Sequence, residues 1–288
     1  MTRDLVRAWR QDFGIDVSGL FDGIDELAVQ QDTETGMMSF EPKVLGDAAF
    51  YQALRRFKWY HPTRKLEHAH AADTIPDGAR VVDIGAGNGD FASYLGDAIY
   101  LGLESDAAAV QSAQTRGRDL RMLSMAGWCA AETFYPADIV TAFQVLEHVA
   151  DPQGFIAEMV RCAAPQGRLI IGVPDAESYI ADLPDFMLNA PPHHVSWWTE
   201  AALRNLIETA GLKVERVTRF PVEPWEYQLW WMARFAKAFP GHMPGAFGAR
   251  HRWRKIASFC LSWPLQWRAP KAAARGSTLL IEATKKPV

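Results

Sequence analysis

The sequence has little cysteine, with three residues in 288: Cys129, Cys162 and Cys260. They are far apart in the chain, and no C-x-x-C pair is present. Spacing of this kind predicts neither a zinc site nor a disulfide framework. We therefore expect a protein with no metal site.

The chain also lacks a long apolar run. No uncharged apolar stretch approaches the roughly 20 residues that are needed to cross a bilayer. The first seven residues are charged and carry no apolar signal region. Apolar residues nevertheless make up 49% of the sequence, which supports a real core and argues against a disordered chain. We expect a cytoplasmic protein with one large domain and additions to it.

Acidic residues are missing from one long segment. From Tyr227 to Arg275 the chain has nine Lys and Arg residues and no Asp or Glu. The net charge of the whole chain is −4, so the remainder sums to −13 once these nine are set aside. Five of the eleven tryptophans also lie in this segment. Such segregation points to an anionic partner surface.

The most informative stretch present is residues 81–90, which read VVDIGAGNGD. A β-branched run followed by glycines at alternate positions predicts a strand, a tight turn and a helix. The spacing is G-x-G-x-G, and Asp90 stands where a dinucleotide-binding motif has its third glycine. An acid there would repel a pyrophosphate. Asp83 and Asp90 instead suit a cationic ligand without phosphate, such as S-adenosylmethionine. Glu104 ends the next predicted strand, where a carboxylate can hold two ribose hydroxyls.

These residues resemble the class I S-adenosylmethionine-dependent methyltransferases. Residues 143–152, FQVLEHVADP, are similar to a motif that follows the fourth strand in one large bacterial subgroup. Residues 191–199, PPHHVSWWT, are similar to a later loop of the same subgroup. The resemblance covers roughly residues 75 to 220 and the last strand. It implies an acceptor among sugars, lipid-linked glycans, quinone precursors and other small molecules.

The alternation of strands and helices predicts an α/β fold with a Rossmann-like, mostly parallel sheet of seven strands. An N-terminal addition and a helical insertion before the last strand complete it. We predict strands at 80–84, 98–103, 119–123, 137–143, 167–173, 213–219 and 277–284, and helices at 89–96, 106–115, 153–163 and 199–210. The predicted domains are an N-terminal cap at 1–72 without zinc ligands, a methyltransferase core at 73–223, a basic insertion at 224–275 and the last core strand at 276–288.

The predicted cofactor site lies at the carboxyl ends of the strands. In the resembling family adenine is usually held after the third strand, often by an acid. Residues 124–128 have no acid, so backbone amides or the packing of Met125 could serve instead. The resemblance also implies that Tyr60 and Glu67 lie near the cofactor. The predicted cofactor-binding residues are Asp83, Gly85, Gly87, Glu104, Gln144 and Met125.

Histidines are the candidate catalytic residues. Methyl transfer requires the acceptor atom within about 3–3.5 Å of the methyl group, and a hydroxyl acceptor gains from a nearby base. Glu147 could orient His148 as a base, or the pair could only brace loops. The loop that starts with two prolines could aim His193 and His194 at the substrate, or they could be structural. His68 and His70 lie in a polar run and are predicted at the surface. The candidate catalytic residues are therefore His148, His193 and His194.

Two amphipathic helices are predicted in the insertion, at 225–239 and near 250–262. The first would be about 22 Å long, too short to span a bilayer. Short helices rich in Trp and Lys or Arg are typical of interfacial membrane anchors. Packing on the core or on a partner subunit is the alternative. RNA ranks lower, because no RNA-binding module is present.

The sequence therefore predicts a methyltransferase that uses S-adenosylmethionine to methylate a hydroxyl on a glycan or lipid-linked intermediate near the inner membrane face. One alternative is a soluble small-molecule O-, N- or C-methyltransferase whose insertion forms a lid. Another is a non-catalytic protein that binds the cofactor. A nucleic-acid partner is not expected.

Overall fold

The chain forms two compact units, each assembled from three separate segments. The computed structural model describes residues 2–57, 65–241, 247–248, 251–271 and 274–285. The sheet unit comprises Lys58–Val173, Glu200–Thr218 and Leu279–Val288. The tryptophan-rich unit comprises Met1–Phe57, Pro174–Thr199 and Arg219–Thr278, and nine of the eleven tryptophans belong to it. Both units combine segments that are distant in the sequence, so they do not correspond one to one with the four predicted domains. The four-part division stays a prediction.

A seven-stranded sheet with the order β5-β4-β3-β6-β7-β10-β9 forms the core of the sheet unit. The pairs β3–β4, β3–β6, β4–β5 and β6–β7 are parallel. The last strand of the chain lies between β7 and β9. This is the predicted α/β fold. Its strands are β3 (Arg80–Ile84), β4 (Ile99–Leu103), β5 (Leu120–Arg121), β6 (Ala137–Phe143), β7 (Ala163–Pro174), β9 (Leu212–Pro221) and β10 (Arg275–Lys285).

Local signals fix the ends of the helices between these strands. The Asp106 carboxylate accepts the N–H groups of Ala108 and Ala109 and so caps α4. Asp151 caps α6 in the same way, and Pro152 is its first residue. Gly211, with a φ of 81°, follows α7 in the left-handed conformation that commonly ends a helix. The helices of this unit are α3 (Leu66–Ala72), α4 (Ala107–Gln114), α5 (Met125–Cys129), α6 (Pro152–Cys162) and α7 (Glu200–Thr209).

The structure corrects one local expectation in the sheet unit and shows one contact that the sequence did not predict. The helix predicted at 89–96 is a short 3-10 helix, Asp90–Tyr94, because Leu95 is already extended and Gly96 follows it. Cys129 and Cys162 are not isolated from each other: their sulfur atoms lie 3.3 Å apart. They are the last residues of α5 and α6, and the packing of these helices brings them together. Both cysteines are free.

The tryptophan-rich unit has a small antiparallel sheet of its own with the order β1-β2-β8. The buried Trp9 indole donates a 2.8 Å hydrogen bond to the carbonyl of Pro191 and contacts Phe50 edge-on. The elements of this unit are α1 (Thr2–Phe13), β1 (Ala28–Gln31), β2 (Met38–Glu41), α2 (Ala48–Leu54), β8 (Ser196–Trp197), α8 (Tyr227–Ala238) and α9 (Arg252–Ser262).

The insertion between β9 and β10 starts and ends at one buried carboxylate. Asp175 is fully buried and accepts from Nε of Arg219 at 3.3 Å and from Nε of Arg275 at 2.7 Å. The Val222 N–H donates to the Ala274 carbonyl at 3.1 Å, which closes the insertion at its base. Two arginines neutralise a carboxylate that would be costly to bury alone.

The first insertion helix, α8, packs within the tryptophan-rich unit. Met232 and Ala233 form a buried cluster with Tyr179, Ile180 and Leu183. No helix among the described residues has the length and apolar character to cross a membrane.

Candidate functional site

The glycine-rich loop after β3 contains three glycines with positive φ, for two different reasons. A Cβ on Gly85 would lie 2.6 Å from Cγ2 of Val145, and one on Gly89 would lie 2.7 Å from Cδ1 of Leu120. These two positions admit no side chain because protein atoms fill the space. Gly87 has a φ of 55°, yet a Cβ there would meet nothing within 4 Å. Open space beside a turn of backbone N–H groups is what a ligand-binding loop requires.

Glu104, at the end of β4, joins this loop to the next one. Its Oε2 accepts the Gly87 N–H at 2.8 Å, while Oε1 accepts the N–H groups of Ser105 and Asp106 at 2.7 and 3.0 Å. An ionised carboxylate has about four acceptor sites. Oε2, which holds only the Gly87 N–H among the described residues, therefore keeps capacity for a further donor such as a ribose hydroxyl.

The two acids expected to meet a cationic ligand are engaged within the protein. Oδ1 and Oδ2 of Asp83 accept from the hydroxyls of Thr141 and Tyr100 at 2.7 and 3.0 Å. Burial raises the pKa of Asp83 to about 7, against the lowering effect of these hydrogen bonds. Asp90 pairs with Arg118 at 2.7 Å. Arg118 therefore already balances the charge of Asp90 within the protein, and a contact between Asp90 and a cationic ligand stays a prediction.

Gln144, directly after β6, has the left-handed backbone conformation that is rare outside glycine, with a φ of 57°. Its N–H donates to the Gly172 carbonyl at 2.8 Å, and its side-chain amide donates to the buried Glu67 carboxylate at 3.0 Å. A Cβ on Gly172 would lie 2.6 Å from Glu67 Oε2, so this glycine makes room for the carboxylate. Residues in such strained conformations cluster at functional sites. Tyr60, the other residue implied near the cofactor, lies outside the described residues.

The loops after β5 and β6 each contain a buried side chain at or beside a predicted site residue. Met125 is buried and begins α5, which Ser124 caps by accepting the Gly127 N–H at 3.0 Å. Glu147 is also buried, and His148 Nε2 lies 3.8 Å from its Oε1. Burial, with a smaller contribution from the charge of Glu67, raises the pKa of Glu147 to about 8. A carboxyl group that holds its proton near neutral pH next to a histidine is typical of sites that move protons.

We expect the free energy of unfolding to depend on pH through the buried Glu147 carboxyl. Its pKa is raised from 4.5 to about 8 on folding, so the folded state holds a proton that the unfolded state releases between these values. The free energy of unfolding should therefore fall as pH rises from 5 to 8, by about 3 kcal/mol from this group. Glu147→Gln should remove that part of the slope in denaturant titrations. Asp138→Asn is the opposite control, because Arg80 lowers the pKa of Asp138. An unchanged pH slope in Glu147→Gln would contradict the raised pKa.

His68 is a correction to the sequence prediction. It is buried, not at the surface, and its ring packs against Phe91 and Phe143 with centroids 5.3 and 4.7 Å away. Burial lowers the pKa of His68 to about 2, which favours the neutral form of its ring. His70 is partly buried and lies 3.6 Å from the Glu282 carboxylate. Alternating histidines in a polar stretch gave no signal of this packing.

His193 and His194 lie together in the tryptophan-rich unit, whereas His148 belongs to the sheet unit. Their rings stack at 4.4 Å, and both are buried. His193 Nδ1 lies 2.7 Å from the Leu188 carbonyl, and His194 Nδ1 lies 2.9 Å from Asn189 Oδ1. Because both partners are acceptors, the proton of each neutral ring belongs on Nδ1. Nε2 of each ring is then the basic nitrogen.

The fold and the glycine-rich loop define a nucleotide-binding α/β protein of the methyltransferase type. A family model described as a methyltransferase domain matches residues 55–217. The chain therefore belongs to this family, and with it to the class I S-adenosylmethionine-dependent methyltransferases. The predicted fold and the predicted cofactor, S-adenosylmethionine, are confirmed at the level of this class.

Individual similarities agree with the family. A protein of Mycolicibacterium smegmatis named a probable S-adenosylmethionine-dependent methyltransferase is 33% identical over 48% of this chain, and the match spans only 53% of that relative. A ubiquinone biosynthesis O-methyltransferase of Xanthomonas axonopodis pv. citri is 30% identical over 56% of this chain and 73% of its own length. A methyltransferase candidate from Bacillus halodurans C-125 has a similar fold, with a TM-score of 0.50 and 16% identity over 77% of this chain and 98% of that one.

Proposed function

We propose that this protein transfers a methyl group from S-adenosylmethionine to a small-molecule or lipid-linked acceptor. The observation that carries the proposal is the link between Glu104 and Gly87 at 2.8 Å, beside open space at Gly87. The residues fit the cofactor: Glu104 would hold the ribose hydroxyls, and the backbone of Gly85 and Gly87 would line its path. The bound cofactor would supply an electrophilic methyl group on a sulfonium.

Three further residues complete the proposed cofactor site. Gln144 would contact the cofactor through its backbone, which has a positive φ, or through its side-chain amide. The hydrogen bond to Glu67 would hold that amide in place. Met125 would pack against the adenine, in a loop that has no acid for this purpose. Asp83 would act indirectly. Its carboxylate accepts hydrogen bonds from Thr141 and Tyr100, and in this position it would orient the glycine-rich turn that follows β3.

The proposed bases are His193 and His194, with His148 as a further candidate. Each of the first two rings is oriented by an acceptor at Nδ1, which leaves Nε2 basic. This is the arrangement in which a neutral histidine removes a proton from a hydroxyl. His148 would be oriented by Glu147, which lies 3.8 Å away.

The proposed acceptor is a hydroxyl of a glycan or lipid-linked intermediate at the inner membrane face. Support comes from the resemblance of residues 143–152 and 191–199 to a bacterial subgroup whose acceptors include sugars and lipid-linked glycans as well as other small molecules. The basic, tryptophan-rich insertion supports a location at the membrane. The Xanthomonas relative, named for ubiquinone biosynthesis, favours O-methylation of a different small molecule. A soluble enzyme with a helical lid therefore stays the second candidate.

The test has two parts. Calorimetry should show S-adenosylhomocysteine binding more tightly than NAD, and the reverse order would contradict the cofactor assignment. Turnover is then followed as S-adenosylhomocysteine release with lipid-linked saccharides and quinone precursors as acceptors. Binding without turnover on every acceptor would favour a non-catalytic cofactor-binding protein.

A further inference from the structure

The second insertion helix, α9, buries small polar side chains and exposes large apolar ones. Ser258 and Ser262 are fully buried, whereas the side chains on the opposite face are large and apolar. Trp253, Ile256 and Trp263 are 50%, 57% and 54% exposed, and Trp267 in the turn that follows is 86% exposed. A helix in water normally buries the apolar side and exposes the polar one. The outward face of α9 is therefore built for surroundings other than water.

The apolar face is continuous. Trp253, Ile256, Phe259 and Trp263 are spaced three or four residues apart, which places them on one side of the helix. Phe259 and Trp263 are in ring contact, with centroids 5.6 Å apart. Every exposed tryptophan in the part of the chain that the structure describes lies between Trp225 and Trp267. A patch of this kind marks an interaction site.

The charges of the insertion divide into two sets. Arg252 and Lys255 pair with Asp12 at 2.9 and 2.5 Å, and Lys237 pairs with Asp182 at 3.1 Å. These residues hold the insertion within its own unit. The remaining exposed cations are Arg234, Arg268 and Lys271, and within the described ranges none of them is in an ion pair.

We propose that the outward face of α9, with Trp267, binds the interfacial layer of an anionic lipid bilayer. Tryptophan prefers the headgroup depth of a membrane, and unpaired cations nearby match anionic lipids. α9 has eleven residues and would lie along the surface, not across it. A second copy of this chain packed through the same face is a poorer occupant, because residues 227–275 contain no acid to meet the cations of the partner. This inference deepens the proposed function by defining the surface through which a lipid-linked acceptor is reached.

The test is co-sedimentation with vesicles of phosphatidylcholine alone or with phosphatidylglycerol, at 0.1 M and 1 M salt. Binding is expected on the anionic vesicles at low salt and should weaken at high salt, because the Debye length falls from about 10 Å to about 3 Å. Equal pelleting under all conditions, or none, would overturn the proposal.

Three sets of variants make the test specific. Trp253→Ser with Ile256→Ser and Trp263→Ser should reduce binding more than tenfold to any vesicle. Arg234→Gln with Arg268→Gln and Lys271→Gln should remove only the preference for anionic lipid. Val29→Ser with Ile99→Ser changes apolar residues that are equally exposed elsewhere, and it should bind like the unmodified protein. Arg252 and Lys255 are unsuitable for substitution, because they anchor the insertion to Asp12.

Two other outcomes would overturn the assignment. A lipid-free dimer that the serine variants dissociate would identify a second copy as the occupant. Tighter binding to single-stranded RNA than to vesicles would identify nucleic acid. Calorimetry with S-adenosylhomocysteine on the same variants should give unchanged affinity, so that loss of lipid binding is distinguished from failure of the proposed cofactor site.

Discussion

Gly87→Val is expected to weaken S-adenosylhomocysteine binding by more than about 100-fold, which corresponds to about 3 kcal/mol of binding free energy. The valine side chain would enter the open space beside the loop, since no protein atom lies within 4 Å of a Cβ at this position. The fold should survive, because the positive φ of 55° costs an L-residue only about 1–2 kcal/mol. Calorimetry measures the affinity, and denaturant unfolding measures the stability.

Gly78→Val is the matched control. Gly78 also has a positive φ, 75°, and open space around its Cβ, but it precedes β3 and so lies at the opposite end of that strand. It should show the same loss of stability with unchanged cofactor affinity. Gly85→Ala gives the contrasting case, because its Cβ would clash with Val145 and lower stability directly. If Gly87→Val binds as well as the Gly78 variant, the cofactor does not lie beside this turn.

His193→Asn is expected to lower turnover by about 10²–10⁴-fold, the usual contribution of a general base. Asparagine can keep an N–H donor toward the Leu188 carbonyl, where Nδ1 now lies at 2.7 Å, but it has no group equivalent to the basic Nε2. The affinity for S-adenosylhomocysteine should not change. The fall in turnover toward acid pH that a histidine base produces should also disappear.

His194→Asn and His148→Asn show which histidine acts. The variant of the acting base should lose turnover without loss of thermal stability. His193 packs near Trp9 and Phe50, so a purely structural histidine would instead lower the melting temperature and leave the pH profile of the remaining activity unchanged. Full turnover in all three variants would mean that proximity alone carries the reaction.

The sequence was sufficient to predict the sheet because strands and loops are specified locally. Short apolar runs, glycines and helix-start residues located β3, β4, β6 and α7 to within one or two residues. The glycine loop and Glu104 were found by the same local logic. Contacts that depend on which strands are neighbours in the sheet could not be predicted in this way.

Asp83 shows this limit most clearly. Its partner Thr141 is opposite it across β3 and β6, a register that no local pattern encodes. The same holds for Arg118, which neutralises Asp90, and for Cys162, which meets Cys129 only because α5 packs on α6. For α9, periodicity predicted an amphipathic helix, but only burial reveals which of its faces points outward.

The shared anchor at Asp175 has an evolutionary consequence. Because Arg219 and Arg275 meet the same carboxylate and Val222 bonds to Ala274, the segment between them leaves and returns at one point. Whatever length or sequence that segment has, the entropy of closing its loop changes only slowly with length. In evolution this segment can therefore change in length or sequence with little effect on the seven-stranded sheet, because both of its ends stay fixed at Asp175.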